Sequence, residues 1–72
     1  MKRSNAKTII RSNRERAGIR SNKELAERIG IPLSTFNYRI SHPGTWIQYE
    51  LRELVKVTGM PDEDLVLLIR KG

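Results

Sequence analysis

The chain contains 72 residues, enough for one domain with a small apolar core. It has no cysteine, which excludes disulfides and thiolate metal sites, and its 14 lysines and arginines outnumber 8 acidic residues to give a formal net charge of +6. No segment approaches the roughly 20 apolar residues that a membrane-spanning helix needs, so we expect one soluble, cytoplasmic domain over residues 1–72.

Apolar spacing and cap residues predict two helices in the first part of the chain, over about residues 5–17 and 22–29. Gly18 suits the left-handed conformation that ends a helix, and the inner face of the first helix would consist of Ile9, Ile10, Asn13 and Ala17. Ser21 is a favoured N-cap for the second helix, and Glu24 completes the pattern of a capping box. The inner face of the second helix would consist of Leu25, Ala26 and Ile29.

A third and a fourth helix are predicted over about residues 33–41 and 46–58. Pro32 fits the start of the third, whose inner face would carry Leu33, Phe36 and Ile40. His42-Pro43-Gly44 forms a break, after which Thr45 and Gln48 have the spacing of another capping box. The fourth helix has an apolar stripe of Ile47, Leu51, Leu54, Val55 and Thr58.

The last helix is predicted over about residues 62–70. Three acidic residues at its start, Asp62, Glu63 and Asp64, suit the positive end of the helix dipole, so we do not interpret them as a metal cluster. Leu65–Ile69 is more apolar than one inner face requires, which predicts a homodimer through this helix. The sequence thus indicates an all-α, five-helix fold.

The spacing around the second and third helices is typical of two helices that cross steeply after a short turn. Ala26 would allow a close approach of the backbones, and Gly30 can adopt the positive φ of the turn. Residues 1–39 carry ten basic and three acidic side chains, whereas residues 40–72 carry four and five. A basic first half is suited to attracting phosphates, although solubility alone also explains a modest net charge.

The segment Ser21–Ile31, the following Ser34–Ile40 and the closing Val57-Thr58-Gly59 together resemble the lambda-repressor-like (Cro/repressor, XRE-type) helix-turn-helix domains, in particular small phage and prophage members. The resemblance covers roughly residues 9–69 and implies a sequence-specific, double-stranded DNA-binding regulator of transcription, with residues 32–41 in the major groove. There are two departures. The link Gly18–Ser21 is one residue longer than usual, and Arg39 stands where the family has its last apolar position, a role that Ile40 takes instead.

The resemblance, together with a helical projection of the third helix, gives a set of expected DNA contacts. The base-reading residues would be Leu33, Ser34, Asn37 and Tyr38, whose side chains suit base edges or thymine methyl groups. The phosphate-binding residues would be Arg20, Asn22, Lys23, Thr35, Arg39, Ser41 and Thr45, with the arm Lys2-Arg3 as a further candidate. Thr35 has an alternative role in packing against the second helix, and Thr45 one as a plain helix cap.

The remaining polar residues give no sign of catalysis. No paired carboxylates, nucleophile–base set or phosphate loop is present, so we expect no enzyme and no cofactor. His42 is the only histidine and has no neighbouring ligand residue, so we expect no metal site, and Trp46 is expected in the core rather than against the DNA backbone. Two alternatives remain: an architectural or recombination accessory DNA-binding factor, and an antitoxin-like or repressor-antagonist interaction domain of the same fold.

Overall fold

The structure is a computed structural model that describes residues 6–70, so the predicted Lys2-Arg3 arm lies outside the described residues. It contains five α-helices: α1 (Ala6–Arg16), α2 (Asn22–Ile29), α3 (Leu33–Ser41), α4 (Gln48–Thr58) and α5 (Asp62–Ile69). A 3₁₀ turn, Pro43–Thr45, separates α3 from α4. Residues 6–70 form no β-strand, which confirms the predicted all-α class.

The core lies where α1, α2, α3 and α4 meet, and α5 closes it against α1. Its largest fully buried apolar side chains are Ile10, Ile19, Leu25, Ile29, Phe36, Leu54 and Leu68. The predicted inner faces of α1 and α2 are buried, except that Ala17 lies in the turn after α1 and is exposed. Trp46 is buried as expected, and its ring meets that of Phe36 edge to face at a centroid distance of 6.0 Å.

Asn13 connects α1 to α5 through a buried amide. Its Nδ2 donates to the backbone oxygen of Ile9 at 2.9 Å and to the Asp64 carboxylate at 2.9 Å, while its Oδ1 accepts from Arg16. A buried amide is tolerated only when its hydrogen-bonding groups have partners, and here both ends of the amide have them. Asp64 therefore fixes the docking of α5 in addition to suiting the dipole of its own helix.

The predicted Thr45–Gln48 capping box is not formed, and α4 begins two residues later than expected. Thr45 belongs to the 3₁₀ turn, where its hydroxyl donates to the backbone oxygen of His42 at 2.7 Å. The Trp46 side chain is buried and its backbone is not helical, with φ −58° and ψ 135°, so the extended Ile47 becomes the N-cap and the helix starts at Gln48. Glu50 supplies the cap by accepting from the Ile47 amide at 3.2 Å, and Ile47 itself is exposed rather than part of the inner stripe.

The apolar excess predicted in α5 is visible as an exposed surface. Leu68 is buried, whereas Val66, Leu67 and Ile69 keep 50%, 50% and 41% of their surface exposed. Every helix within residues 6–70 is too short or too polar to cross a lipid bilayer.

Candidate nucleic-acid interface

The start of α2 is fixed by side-chain hydrogen bonds, as the sequence predicts. The Ser21 hydroxyl accepts from the Glu24 amide at 3.1 Å, which confirms Ser21 as the N-cap. The Glu24 carboxylate accepts from the backbone amide of Arg20 at 3.2 Å and from the Arg28 guanidinium at 3.1 Å. These contacts hold the first turn of α2, so its free backbone amides have a fixed orientation.

The turn between α2 and α3 depends on one glycine. Gly30 has φ +93°. Its backbone amide donates to the Ala26 backbone oxygen at 2.9 Å, and the Ile31 amide donates to the same oxygen at 3.1 Å. Pro32 then takes an extended conformation as N-cap of α3. Ala26 is buried, as the prediction of its place between the two helices requires.

The exposed side of α3 carries all four residues expected to read bases. Phe36 and Ile40 face the core, while Ser34, Asn37 and Tyr38 are exposed, with Tyr38 keeping 50% of its surface. Leu33 is not buried with Phe36 as the projection predicts. It retains 38% exposure, because it begins the helix and the core does not extend beyond that end. Leu33, Ser34, Asn37 and Tyr38 therefore all lie on α3 with side chains accessible from solvent.

The side chain of Arg39, one of the expected phosphate-binding residues, is engaged in an ion pair within the protein. Its Nε donates to one carboxylate oxygen of Glu50 at 2.8 Å and its Nη2 to the other at 3.2 Å. The side chains of Arg39 and Glu50 are only 20% and 4% exposed. This bidentate ion pair joins α3 to α4, so Arg39 helps to fix the orientation of α3.

The other expected phosphate-binding residues fall into two places in the structure. Arg20, Asn22 and Lys23 lie at the start of α2, where Arg20 and Lys23 are exposed and Asn22 is half-buried. At and beyond α3, Ser41 is exposed, Thr35 is half-buried, and the hydroxyl of Thr45 is engaged in its own turn. The Oδ1 of Asn22 is buried without a hydrogen-bond partner in the protein, so that atom makes no structural hydrogen bond.

Two contacts at this surface were not predicted from the sequence. Glu50 lies outside the apolar stripe of α4, and its pairing with Arg39 joins residues eleven apart that no local spacing rule connects. His42 stacks its ring on that of Tyr38, with centroids 4.3 Å apart and an angle of 22° between the planes. The contact between Tyr38 and His42 could have been predicted from the sequence, since residues four apart lie on the same side of a helix.

Residues 6–70 contain no group of three His, Cys, Asp or Glu side chains that could hold a metal ion. What the surface does offer is hydrogen-bonding side chains along an exposed helix, next to a fixed helix start with basic neighbours. This is the chemistry that base edges and phosphates require.

A family model described as winged helix-turn-helix DNA-binding matches residues 15–42, which spans the end of α1, all of α2 and all of α3. Over these residues the chain is similar to the DNA-binding helix-turn-helix of that family. The match ends at His42, and the described residues beyond it form helices rather than strands, so it includes the helix-turn-helix without a wing. No curated protein and no solved structure matches the chain significantly.

Proposed function

We propose that this chain is a sequence-specific regulator of transcription, of the phage or prophage Cro-like or repressor-like type, which acts in the cytoplasm by occupying an operator and excluding polymerase. The observation that carries the proposal is the exposed face of α3, where Ser34, Asn37 and Tyr38 lie opposite the buried Phe36 and Ile40. The helix-turn-helix match supports DNA as the ligand.

In this proposal, α3 lies in the major groove and its exposed side chains read base edges. Asn37 suits adenine, because an amide can donate to N7 and accept from the N6 amino group at once. Ser34 and Tyr38 offer hydroxyls, and the exposed Leu33 suits the methyl group of thymine. Phosphate contacts would come from the start of α2, from its Lys23 and Arg20 side chains and its free amides.

The experiment is selection of a duplex from a random-sequence pool by the whole chain, followed by affinity measurements on the selected and random duplexes at several salt concentrations. Asn37→Ala should weaken binding to the selected duplex by about 1–3 kcal/mol and leave binding to random duplex nearly unchanged. Equal losses on both duplexes would contradict the assignment of Asn37 as a reader.

A second pair of variants tests the phosphate contacts. Lys23→Ala should weaken binding to both duplexes alike and lower the salt slope by about 1, since one counterion fewer is released. Lys56→Ala removes the same charge from the exposed surface near the end of α4, where the Lys56 ammonium lies 3.8 Å from the Glu53 carboxylate, and is the control. An equal effect from both variants would mean that overall charge, not a contact at α2, determines binding.

The same measurements separate the alternatives. An architectural or recombination accessory factor would bind DNA with the same salt dependence but would not footprint on promoter-proximal palindromes. An antitoxin-like or repressor-antagonist domain would show no salt-dependent DNA binding at all. The excess of basic residues over residues 1–39 supports the DNA-binding alternatives over this last one.

We further propose that the chain acts as a homodimer through α5. The exposed Val66, Leu67 and Ile69 lie on one short helix, and apolar side chains gathered in this way are typical of an interface. A second copy of the chain would cover this surface in a symmetric contact and present two recognition helices to a palindromic operator.

A further inference from the structure

His42 lies immediately after α3, on the same side of the helix as the exposed residues that face away from the core. With 100° per residue, Tyr38 projects directly opposite the midpoint of Phe36 and Ile40, and Ser34 and His42 fall about 40° to either side of it. His42 and Tyr38 are both exposed. The outward side of α3 therefore continues beyond its last helical residue and ends in an imidazole.

The imidazole is held in place by two contacts with the same residue. Its ring is stacked on the Tyr38 ring at a centroid distance of 4.3 Å and an interplanar angle of 22°. Its Nδ1 lies 3.1 Å from the Tyr38 backbone oxygen, to which it donates when that nitrogen carries the proton. The His42 backbone amide donates to the same oxygen at 2.9 Å, so backbone and side chain are fixed together.

This stacking limits the motion of the Tyr38 ring. A half-exposed tyrosine on a helix surface normally samples several rotamers, and ordering one of them on binding costs free energy. When the ring is already stacked on a neighbour, binding does not require this further loss of rotamer freedom. The Tyr38 hydroxyl is therefore presented in one direction before any ligand arrives.

We propose that His42 is a positioning residue for DNA recognition, which fixes the Tyr38 ring so that its hydroxyl meets one chosen position of the operator. The proposal rests on the proposed function, in which Tyr38 reads the major groove. His42 acts through Tyr38, so its effect belongs to the selected duplex and disappears when the tyrosine ring is absent.

The test compares His42→Ala with His42→Phe on the duplex selected by the wild-type chain and on the random pool. His42→Ala should weaken binding to the selected duplex by about 3- to 10-fold, as loss of one aromatic stack predicts, and leave the random duplex unchanged. His42→Phe keeps a ring that can stack and should restore most of the affinity. In the free protein, the Tyr38 ring protons should lose their ring-current shift in His42→Ala and keep it in His42→Phe.

A double-mutant cycle with Tyr38→Ala decides between positioning and a direct contact. In the Tyr38→Ala background, His42→Ala should have no further effect on affinity, because there is no ring left to position. A full additional loss in that background, or an equal loss on random duplex, would overturn the proposal, since His42 would then contact DNA by itself.

The failure of this proposal can be told apart from the failure of the proposed function. If the wild-type chain binds all duplexes equally, the proposed function fails and the positioning role fails with it. If the wild-type chain selects a duplex but His42→Ala binds it as tightly as the wild type does, the positioning role alone is wrong. Emission from the buried Trp46, the only tryptophan, verifies that each variant is folded.

Discussion

At the scale of single residues, the ion pair between Arg39 and Glu50 is the contact on which the geometry of α3 depends. The Glu50 carboxylate is almost fully buried and accepts both from the Arg39 guanidinium and from the Ile47 amide. A buried carboxylate requires a partner, because its loss of hydration is not otherwise compensated. One side chain thus links the orientation of α3 with the start of α4.

We expect Arg39→Ala to lower the free energy of unfolding by about 3 kcal/mol, because it leaves the Glu50 charge buried and uncompensated. For a domain of this size that is a large fraction of the total stability. Replacing both partners, Arg39→Met with Glu50→Leu, should recover most of the loss, since no buried charge then remains. The measurement is urea unfolding followed by Trp46 emission.

The exposed pair between Arg28 and Glu24 provides the control for this prediction. Its guanidinium and carboxylate approach to 3.1 Å, but the two side chains are 54% and 35% exposed. Arg28→Ala should therefore cost less than about 1 kcal/mol. Equal costs at the exposed and buried pairs would show that burial of Glu50 does not determine the effect.

The residues that the sequence identified least well are the buried polar ones. Periodicity placed Asn13 on the inner face of α1, but it could not supply the partner, because Asp64 lies 51 residues away. Glu50 had no such signal, since an acid next to an apolar stripe is usually exposed. Apolar positions follow from local spacing, whereas a buried polar group depends on a partner from another helix.

At the scale of helices and turns, the junction of α2 and α3 sets the angle at which α3 is presented. Gly30 adopts φ +93°, a region that costs a side chain with a β-carbon about 1–2 kcal/mol. A β-carbon at this position would meet only the Tyr49 hydroxyl oxygen, at 4.0 Å, which is an ordinary contact. The cost of a substitution here therefore comes from the backbone and not from a clash.

Gly30→Ala should accordingly lower stability by about 1–2 kcal/mol, as measured by thermal or urea unfolding. Gly44→Ala is the matched control, because Gly44 does not have a positive φ and a β-carbon there would meet no atom within 4 Å. That variant should be neutral, or more stable by a few tenths of a kcal/mol through the unfolded chain. If both variants lost the same stability, the left-handed conformation at Gly30 would not be the cause.

Sequence patterns located the helices well and failed at one helix start. The N-cap of α2 and the glycine of the turn were found because cap and turn chemistry is local. The predicted start of α4 was wrong because Trp46 packs in the core beside Phe36. This tertiary contact outweighs the capping pattern at Thr45. Local signals are therefore sufficient where no large side chain requires burial nearby.

At the scale of the whole molecule, the fold separates two surfaces with different chemistry. The exposed side of α3 is polar and the start of α2 carries basic side chains, whereas the second half of α5 exposes the apolar residues Val66, Leu67 and Ile69. The all-α class followed from apolar spacing along the chain, and the helix-turn-helix from that spacing together with Ala26, the turn glycine Gly30 and the family resemblance. The sequence alone could not show which apolar residues of α5 remain uncovered. That depends on how α5 docks on α1, which the buried Asn13–Asp64 contact fixes.

These separate surfaces allow the proposed homodimer to be tested independently of the DNA-contacting residues. Leu67→Glu places a charge in the apolar surface of α5 and should convert a dimer into a monomer, because a carboxylate cannot be buried there without a partner. Since Leu67 is half-exposed in the single chain, its effect on folding stability should stay within about 1 kcal/mol. The measurement is sedimentation velocity over a range of protein concentrations.

Ile47→Glu introduces the same charge at an equally exposed apolar residue outside α5 and should leave the sedimentation coefficient unchanged. Loss of the dimer should also weaken binding to a palindromic duplex more than binding to an isolated half-site, because two linked recognition helices gain affinity from each other. A wild-type chain that sediments as a monomer at all concentrations and binds one half-site per duplex would show that the apolar surface of α5 is not a dimer contact. The comparison between half-site and palindrome thus separates an effect on assembly from an effect on recognition by α3.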